Sequence, residues 1–254
     1  MSKFLFYFLL FFIYSFIGWV IEMFTVNFVL KQKFADRGFL IGPYCPIYGF
    51  ASIIMIFILS RYKGDILVLF FMSIIICTII EYFTSYIMEK LFKARWWDYS
   101  NEPFNLNGRI CLINSIGFGI LGVLLIRIIN PFFVGLLSKL GTNVLNIISL
   151  ILLILFIFDV IFSFNIIRKI KGSLSRTNKD STAEISSKVK NELLSKNLFI
   201  RRIIKAFPDI KVIYNKKNKK WNFYFFLLYI SNFISLLNLS SLNLRIVVSP
   251  VSSS

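Results

Sequence analysis

The sequence predicts an all-α fold, a polytopic transmembrane helical bundle. Of its 254 residues, 57% are hydrophobic and 18% aromatic, and only 16% are charged. Soluble globular chains are nearer half apolar and a quarter charged. The mean hydropathy of +0.75 agrees with this contrast. Long apolar runs with few charges have the length of about 20 residues that a helix needs to cross the hydrocarbon core of a bilayer.

Five segments meet or approach this length, and each carries at most one acidic residue. They are residues 4–30, 38–60, 66–88, 110–126 and 140–167. The second segment begins with Gly42, Pro43 and Pro46, which interrupt regular helix. We therefore expect a broken or re-entrant start there, followed by regular helix over about residues 47–60.

The distribution of basic residues predicts the orientation. Residues 168–220 hold 16 of the 29 basic residues against 4 acids, and such segments stay in the cytoplasm. Counting back through five spans puts the N-terminus outside, with residues 31–37 and 90–109 inside. These loops carry three and four basic residues, and the opposite loops carry two each. We expect a multi-pass protein of the bacterial cell membrane.

This pattern divides the chain into a membrane domain (residues 1–167), a basic cytoplasmic tail (168–220) and an uncertain apolar segment (221–254). In the tail, Ser181 and Glu184 have capping-box spacing, and a basic amphipathic helix follows as far as Phe207. Such a helix would lie on the anionic cytoplasmic leaflet or contact a partner protein. The stretch 221–244 contains eight Ser or Asn residues, and is read either as a sixth span or as a dispensable interfacial segment.

Several function classes are excluded by what the sequence lacks. There is no histidine, which removes Ser-His-Asp and Cys-His catalysis, His-ligated zinc and proximal-His haem. Cys45, Cys77 and Cys111 form no CxxC pair, so free thiols are expected. No phosphate-binding Gly-x-x-x-x-Gly-Lys motif occurs, so an ATPase would be a separate chain. We expect no cofactor, no metal and no nucleic-acid partner; the net charge of +17 reflects membrane orientation.

The stretch from Gly117 through Gly119 to Gly122 has the letters of a dinucleotide fingerprint but lies inside the fourth span. Without a preceding strand it cannot bind a pyrophosphate, and small residues in membrane helices permit close helix packing. We therefore predict a packing role.

Three acidic residues lie inside the spans: Glu22, Glu81 and Asp159. An ionisable group in a membrane costs roughly 3 kcal/mol or more, so it is paired, lines a wet cavity or sits at a helix end. An unpaired carboxylate would take up a proton. All three fall toward the cytoplasmic side in the predicted topology. We predict that Glu22 and Glu81 each pair with an arginine from the Arg37 loop or the 95–109 loop.

The two loops beside these acids combine arginines with glycine, proline, tryptophan and tyrosine, which indicates an ordered, partly buried structure. Two interpretations stay open: a functional cavity, or a purely structural ion-pair network. The candidate site residues are Glu22, Arg37, Gly42, Pro43, Cys45, Pro46, Tyr48, Glu81, Arg95, Trp96, Trp97, Asp98, Tyr99, Asn105, Asn107, Gly108 and Arg109.

Five ordered blocks of residues carry a family resemblance. They are residues 14–22, 37–49, 81–90, 95–99 and 104–110. In these blocks the chain resembles the CmpB-like family of bacterial membrane proteins, catalogued as ABC-transporter (type IV) permeases. The resemblance covers about residues 14–130, and implies a multi-pass, permease-like subunit.

Three functions are consistent with these observations. The first is a transport protein, the permease-like component of an assembly with a separate ATPase, whose acids could bind a cation or an amine. The second is a membrane-embedded enzyme acting on lipid or isoprenoid head groups, although the lack of histidine and of a metal-ligand cluster disfavours it. The third is a non-catalytic membrane partner or regulator that recruits another protein through its basic tail.

Overall fold

The computed structural model describes residues 2–25, 38, 40–92, 94–176 and 211–212. The six helices within these ranges are α1 (Lys3–Phe24), α2 (Pro46–Leu59), α3 (Ile66–Phe92), α4 (Leu112–Leu124), α5 (Asn130–Ser138) and α6 (Thr142–Arg176). A two-residue antiparallel pairing joins β1 (Ala94–Arg95) to β2 (Lys211–Val212). The loop after α3 therefore contacts the basic tail through backbone hydrogen bonds.

The helical fold class is confirmed. Within the described residues, four helices are long and apolar enough to cross a membrane: Lys3–Phe24, Ile66–Leu91, Leu112–Ser138 and Thr142–Asn165. The second predicted span is instead a shorter apolar helix, Pro46–Tyr62. It begins at Pro46, which occupies the first helical turn where no backbone N–H is needed. The break that the prolines predicted is therefore present, since residues 40–43 form bends before the helix.

The fourth span is longer than the sequence predicted. A π-helical turn, Leu125–Ile129, joins α4 to α5, and the helix continues to Ser138 instead of ending at residue 126. Arg127 therefore lies on a helix and not in a loop. Pro131 lacks a backbone N–H, and the wider π turn before it accommodates the missing hydrogen bond. The Tyr14 hydroxyl, on α1, donates to Asn130 Oδ1 at 2.8 Å and anchors this junction.

Helix α1 packs closely against α2 because small residues line their contact. A Cβ at Gly49 would overlap the backbone oxygen of Phe11 and the Ser15 hydroxyl, and a Cβ at Gly18 would overlap Tyr48. The two backbones can therefore approach only with glycine at these positions. This contact brings Tyr48, at the start of α2, next to the last turn of α1.

Helices α3 and α4 meet in the same way. A Cβ at Gly122 would overlap Ser73, and one at Gly119 would meet the Phe70 ring at 2.6 Å. Nothing lies within 4 Å of the corresponding position at Gly117. The predicted packing role is confirmed for Gly119 and Gly122, whereas Gly117 faces open space.

The outer surface of the bundle is apolar. On α3, every fourth residue is an exposed large side chain: Leu67, Phe71, Ile75, Ile79 and Phe83. Residues four apart share one face of a helix, so these side chains form a continuous apolar stripe. Such a stripe is stable only against lipid or another apolar surface, in agreement with a membrane protein.

Several expectations fall outside the described residues. They concern Arg37, the amphipathic helix between residues 181 and 207, and the segment 221–244. The expected domain boundaries at residues 167 and 220 stay predictions.

Candidate functional site

Polar residues from several elements meet at one end of the bundle. The chain runs up and down, so the last turn of α1, the start of α2, the second half of α3 and the loop 94–111 share this end. The Tyr48 hydroxyl on α2 donates to Glu22 Oε1 on α1 at 2.7 Å. Arg109 in the loop donates from Nη1 to the Ser85 hydroxyl on α3 at 3.2 Å. These contacts join α1 to α2 and the loop to α3, and electrostatic interactions of Glu81 with Glu22 and Tyr48 relate the two pairs.

The segment before α2 is held by Asp159 of α6. The Asp159 carboxylate accepts hydrogen bonds from the backbone N–H groups of Ile41 (2.9 Å) and Gly42 (2.8 Å). The hydroxyls of Tyr44 and Ser163 also donate to it. Residues 41–44 do not form a helix, so these N–H groups need an acceptor, and Asp159 supplies it. Asp159 therefore has a structural task.

Cys45 and Pro46 complete this entry to α2. The Cys45 N–H donates to the backbone oxygen of Ser15 at 2.9 Å. The Cys45 side chain is buried, as are Cys77 and Cys111, and none of the three forms a disulfide bond. The expectation that the cysteines form no disulfide is confirmed.

Glu81 is the most isolated acid of the site. Glu81 is only 7% exposed, and its Oε2 atom is buried without a hydrogen-bond partner. Glu22 lies at the same end of the bundle, within range of an electrostatic interaction with Glu81. Glu22 is half-buried and is bound by Tyr48. Two acids from different helices thus lie at the same end of the bundle, and one of them, Glu81, has a carboxylate oxygen without a hydrogen-bond partner.

Tyr99 brings the loop to the same acids. Burial, together with the negative charges of Glu81 and Glu22, raises the pKa of the Tyr99 phenol above its usual value, while a side-chain hydrogen bond with Asn114 opposes this shift. Asn114 lies in the first turn of α4. The phenol is therefore a neutral hydroxyl at physiological pH, positioned beside the two carboxylates.

A separate ion cluster lies further along α3. Glu89 Oε2 is 2.8 Å from Arg109 Nη2 and 3.3 Å from Arg95 Nε. Arg95 Nη1 also lies 3.4 Å from Asp98 Oδ1. The Arg109 guanidinium stands 5.4 Å and 5.7 Å from the ring centres of Tyr86 and Tyr82, within cation–π range. Both arginines are therefore neutralised by Glu89 and Asp98.

The loop 94–111 is ordered by its own hydrogen bonds, as predicted. Trp97 Nε1 donates to the backbone oxygen of Arg109 at 3.0 Å, and the Tyr99 N–H donates to that of Gly108 at 2.8 Å. The Asn105 side chain binds the backbone oxygens of Ser100 and Glu102.

The turn at Asn107 and Gly108 needs left-handed backbone angles. Their φ angles are +53° and +64°, which asparagine and glycine tolerate best. The Asn107 amide donates to the Tyr82 hydroxyl at 3.0 Å, which ties the turn to α3. A Cβ at Gly108 would overlap Ser100 and lie 2.6 Å from Asp98 Oδ1, so this position needs glycine for two reasons.

The candidate residues thus fall into distinct groups. The polar site consists of Glu22, Tyr48, Glu81 and Tyr99. The ion cluster contains Arg95, Asp98 and Arg109. The shape of the loop depends on Trp97, Asn105, Asn107 and Gly108, and Trp96 is buried in it. The entry to α2 is formed by Gly42, Pro43, Cys45 and Pro46. Arg37 lies outside the described residues.

The predicted arginine pairing is wrong for Arg95 and Arg109. Among the described residues, no salt bridge joins either of them to Glu22 or Glu81, because both bind Glu89. Pairing with Arg37 stays a prediction. The sequence-based prediction did not include Glu89 as a partner of the arginines. Its spacing could have suggested it, because residues 81, 85 and 89 are four apart and share one face of α3.

Over the part of the chain that the structure describes, no three Cys, Asp or Glu side chains converge as a metal site. Glu22, Glu81, Tyr48 and Tyr99 contribute carboxylate and hydroxyl oxygens at this end of the bundle.

A known protein family matches most of the helical part of the chain. The model of the family described as "Putative ABC-transporter type IV" matches residues 9–164, which include all the candidate site residues. No curated protein and no solved structure is similar enough to the chain to count as a match.

Proposed function

Because the chain belongs to the ABC-transporter type IV family, we propose that it is the permease-like subunit of a membrane transporter whose ATPase is a separate chain. Its apolar helices make it a membrane protein, and its family relates it to transport. The sequence contains no phosphate-binding Gly-x-x-x-x-Gly-Lys motif, which supports the proposal that a separate chain hydrolyses ATP.

We further propose that the transported ligand contacts the polar site formed by Glu22, Tyr48, Glu81 and Tyr99. The buried Oε2 of Glu81 carries this proposal, because a polar atom without a partner in a membrane protein is costly unless a ligand or a proton uses it. The Arg95–Glu89–Arg109 cluster is the structural network at this end, and it is complete without Glu81.

The orientation is part of the same proposal. The basic residues of 168–220 support a cytoplasmic tail and an outside N-terminus in the bacterial cell membrane. The polar site then opens toward the cytoplasm. An ATPase subunit would meet the protein on this side, next to the loop 94–111 and the anionic lipid leaflet.

An enzyme acting on lipid head groups is less well supported. Such an enzyme would need free arginines for an anionic head group. Arg109 is bound by Glu89, and Arg95 is shared between Glu89 and Asp98. We therefore propose transport in preference to an enzymatic reaction on lipid head groups.

Affinity purification of the full chain in native lipid, followed by identification of bound proteins, tests the proposal. We expect an ATPase at a fixed ratio to the chain, and ATP hydrolysis that falls in the Glu81→Gln variant while the ATPase stays bound. Glu102→Gln, an exposed acid in the same loop region, is the matched control and should hydrolyse ATP normally. Repeated recovery of the intact chain without any ATPase would overturn the proposal.

A further inference from the structure

The charges around Glu81 are unusual for a membrane interior. The carboxylates of Glu22 on α1 and Glu81 on α3 lie at the same end of the bundle and interact electrostatically. Their negative charges also act on Tyr48 at the start of α2 and on Tyr99 in the loop, and that of Glu81 acts on Cys77 of α3. Cys45 and Cys111 are the titratable neighbours of Tyr48 and Tyr99. All of these groups are neutral or acidic.

The basic side chains nearby do not balance this charge. Arg109 is one helical turn away, at Ser85, and its guanidinium is bound by Glu89. Arg95 is shared between Glu89 and Asp98. Two ionised carboxylates close together in a low dielectric repel each other strongly, so such pairs hold a shared proton or bind a cation.

We propose that Glu22 and Glu81 form a proton-exchanging site for a small monovalent cation or a primary ammonium group. The inference rests on the proposed transport function and adds the class of ligand. Tyr48 already donates to Glu22, and the Tyr99 hydroxyl is held by Asn114 beside both acids. Oxygen atoms of carboxylates and hydroxyls are suitable partners for both ligands.

The charge balance selects a monovalent ligand. With one shared proton the pair carries one negative charge. When a cation enters, the proton leaves Glu81 for water at this end of the bundle, and the cation takes its place. The protein's net charge is unchanged by this exchange. A divalent metal would need more acidic ligands than the described residues bring together.

Infrared difference spectroscopy of the full-length protein in liposomes tests the exchange without any mutation. We expect the C=O stretch of a buried, protonated carboxylic acid at neutral pH, and its loss when the cation is added. Separate additions of sodium chloride, potassium chloride and ethylammonium chloride distinguish an inorganic ion from an organic ammonium group. N-methylglucamine chloride, whose cation is much larger than the other three, controls for ionic strength.

Variants then identify the carboxylic acid that gives this C=O absorption band. Glu81→Gln should abolish it, Glu22→Gln should keep it but prevent its loss on addition of the cation, and Glu102→Gln should behave as the wild type. The inference is overturned if the wild type shows no protonated carboxyl band, or if none of the three cations removes it. Either result would leave the transport proposal standing, because binding of an ATPase subunit is measured independently.

Discussion

Glu89 Oε2 lies 2.8 Å from Arg109 Nη2, and this ion pair joins the last turn of α3 to the end of the neighbouring loop. The Arg109 side chain is 8% exposed and that of Glu89 18%. Arg95 shares the same carboxylate oxygen. One acid therefore holds both arginines that border the polar site, and determines how the loop 94–111 sits on α3.

Replacing Glu89 by glutamine should destabilise the protein. Arg109 would keep Ser85 and two tyrosine rings but lose its only anionic partner among the described residues, and a buried charge left unpaired costs about 3 kcal/mol. We expect a lower level in the membrane and a lower thermal unfolding temperature in detergent. Glu102→Gln is the control. The double variant Glu89→Gln, Arg109→Met should recover part of the loss, and an unchanged unfolding temperature of Glu89→Gln alone would contradict the prediction.

Two glycines of α4 should respond oppositely to alanine. Gly122→Ala should destabilise the bundle by about 1–3 kcal/mol, because its Cβ would overlap Ser73 and push α3 away. Gly117→Ala should be neutral or slightly stabilising, since nothing lies within 4 Å and alanine favours helix. Thermal unfolding of both variants in the same detergent checks the difference. Equal unfolding temperatures would show that the two helices do not pack as described.

Removing the Asp159 carboxylate should release the segment before α2. In Asp159→Ala, the part-buried N–H groups of Ile41 and Gly42 lose the carboxylate as acceptor, and the loss of a hydrogen bond to a charged group costs about 1.5–3 kcal/mol. We expect Cys45 to react several-fold faster with a maleimide. The assay uses a chain with Cys77→Ala and Cys111→Ala, so that Cys45 is the single thiol.

Ser163→Ala provides the control for this experiment, because it removes only one of the hydrogen bonds to Asp159. Cys45 should keep its slow labelling in that variant. A labelling rate in Asp159→Ala equal to that in Ser163→Ala would mean that Asp159 does not hold the segment.

The orientation can be tested by labelling single cysteines from outside intact cells. Lys63→Cys should react with an impermeant maleimide, whereas Asp36→Cys and Asp180→Cys should be protected, because basic segments stay in the cytoplasm. Each variant is made in a chain without native cysteines. Reaction at positions 36 and 180, with protection at 63, would reverse the topology.

The sequence by itself determined the membrane class and the break before α2. These properties are local. Hydrocarbon thickness sets the length of a span, and Pro46 cannot continue a helix from the residues before it but can begin one. The packing role of Gly119 and Gly122 was also visible, because a glycine motif inside an apolar helix has one common use.

Only the tertiary structure decided which partners the buried charges take. Glu81 and Glu89 lie on one face of α3, and the sequence does not say which of them the arginines reach. The height and rotation of α3 against the loop bring Arg95 and Arg109 to Glu89 and leave Glu81 beside Glu22. Likewise, Asp159 binds backbone N–H groups more than a hundred residues away. Such contacts depend on distances between helices, which apolar periodicity does not encode.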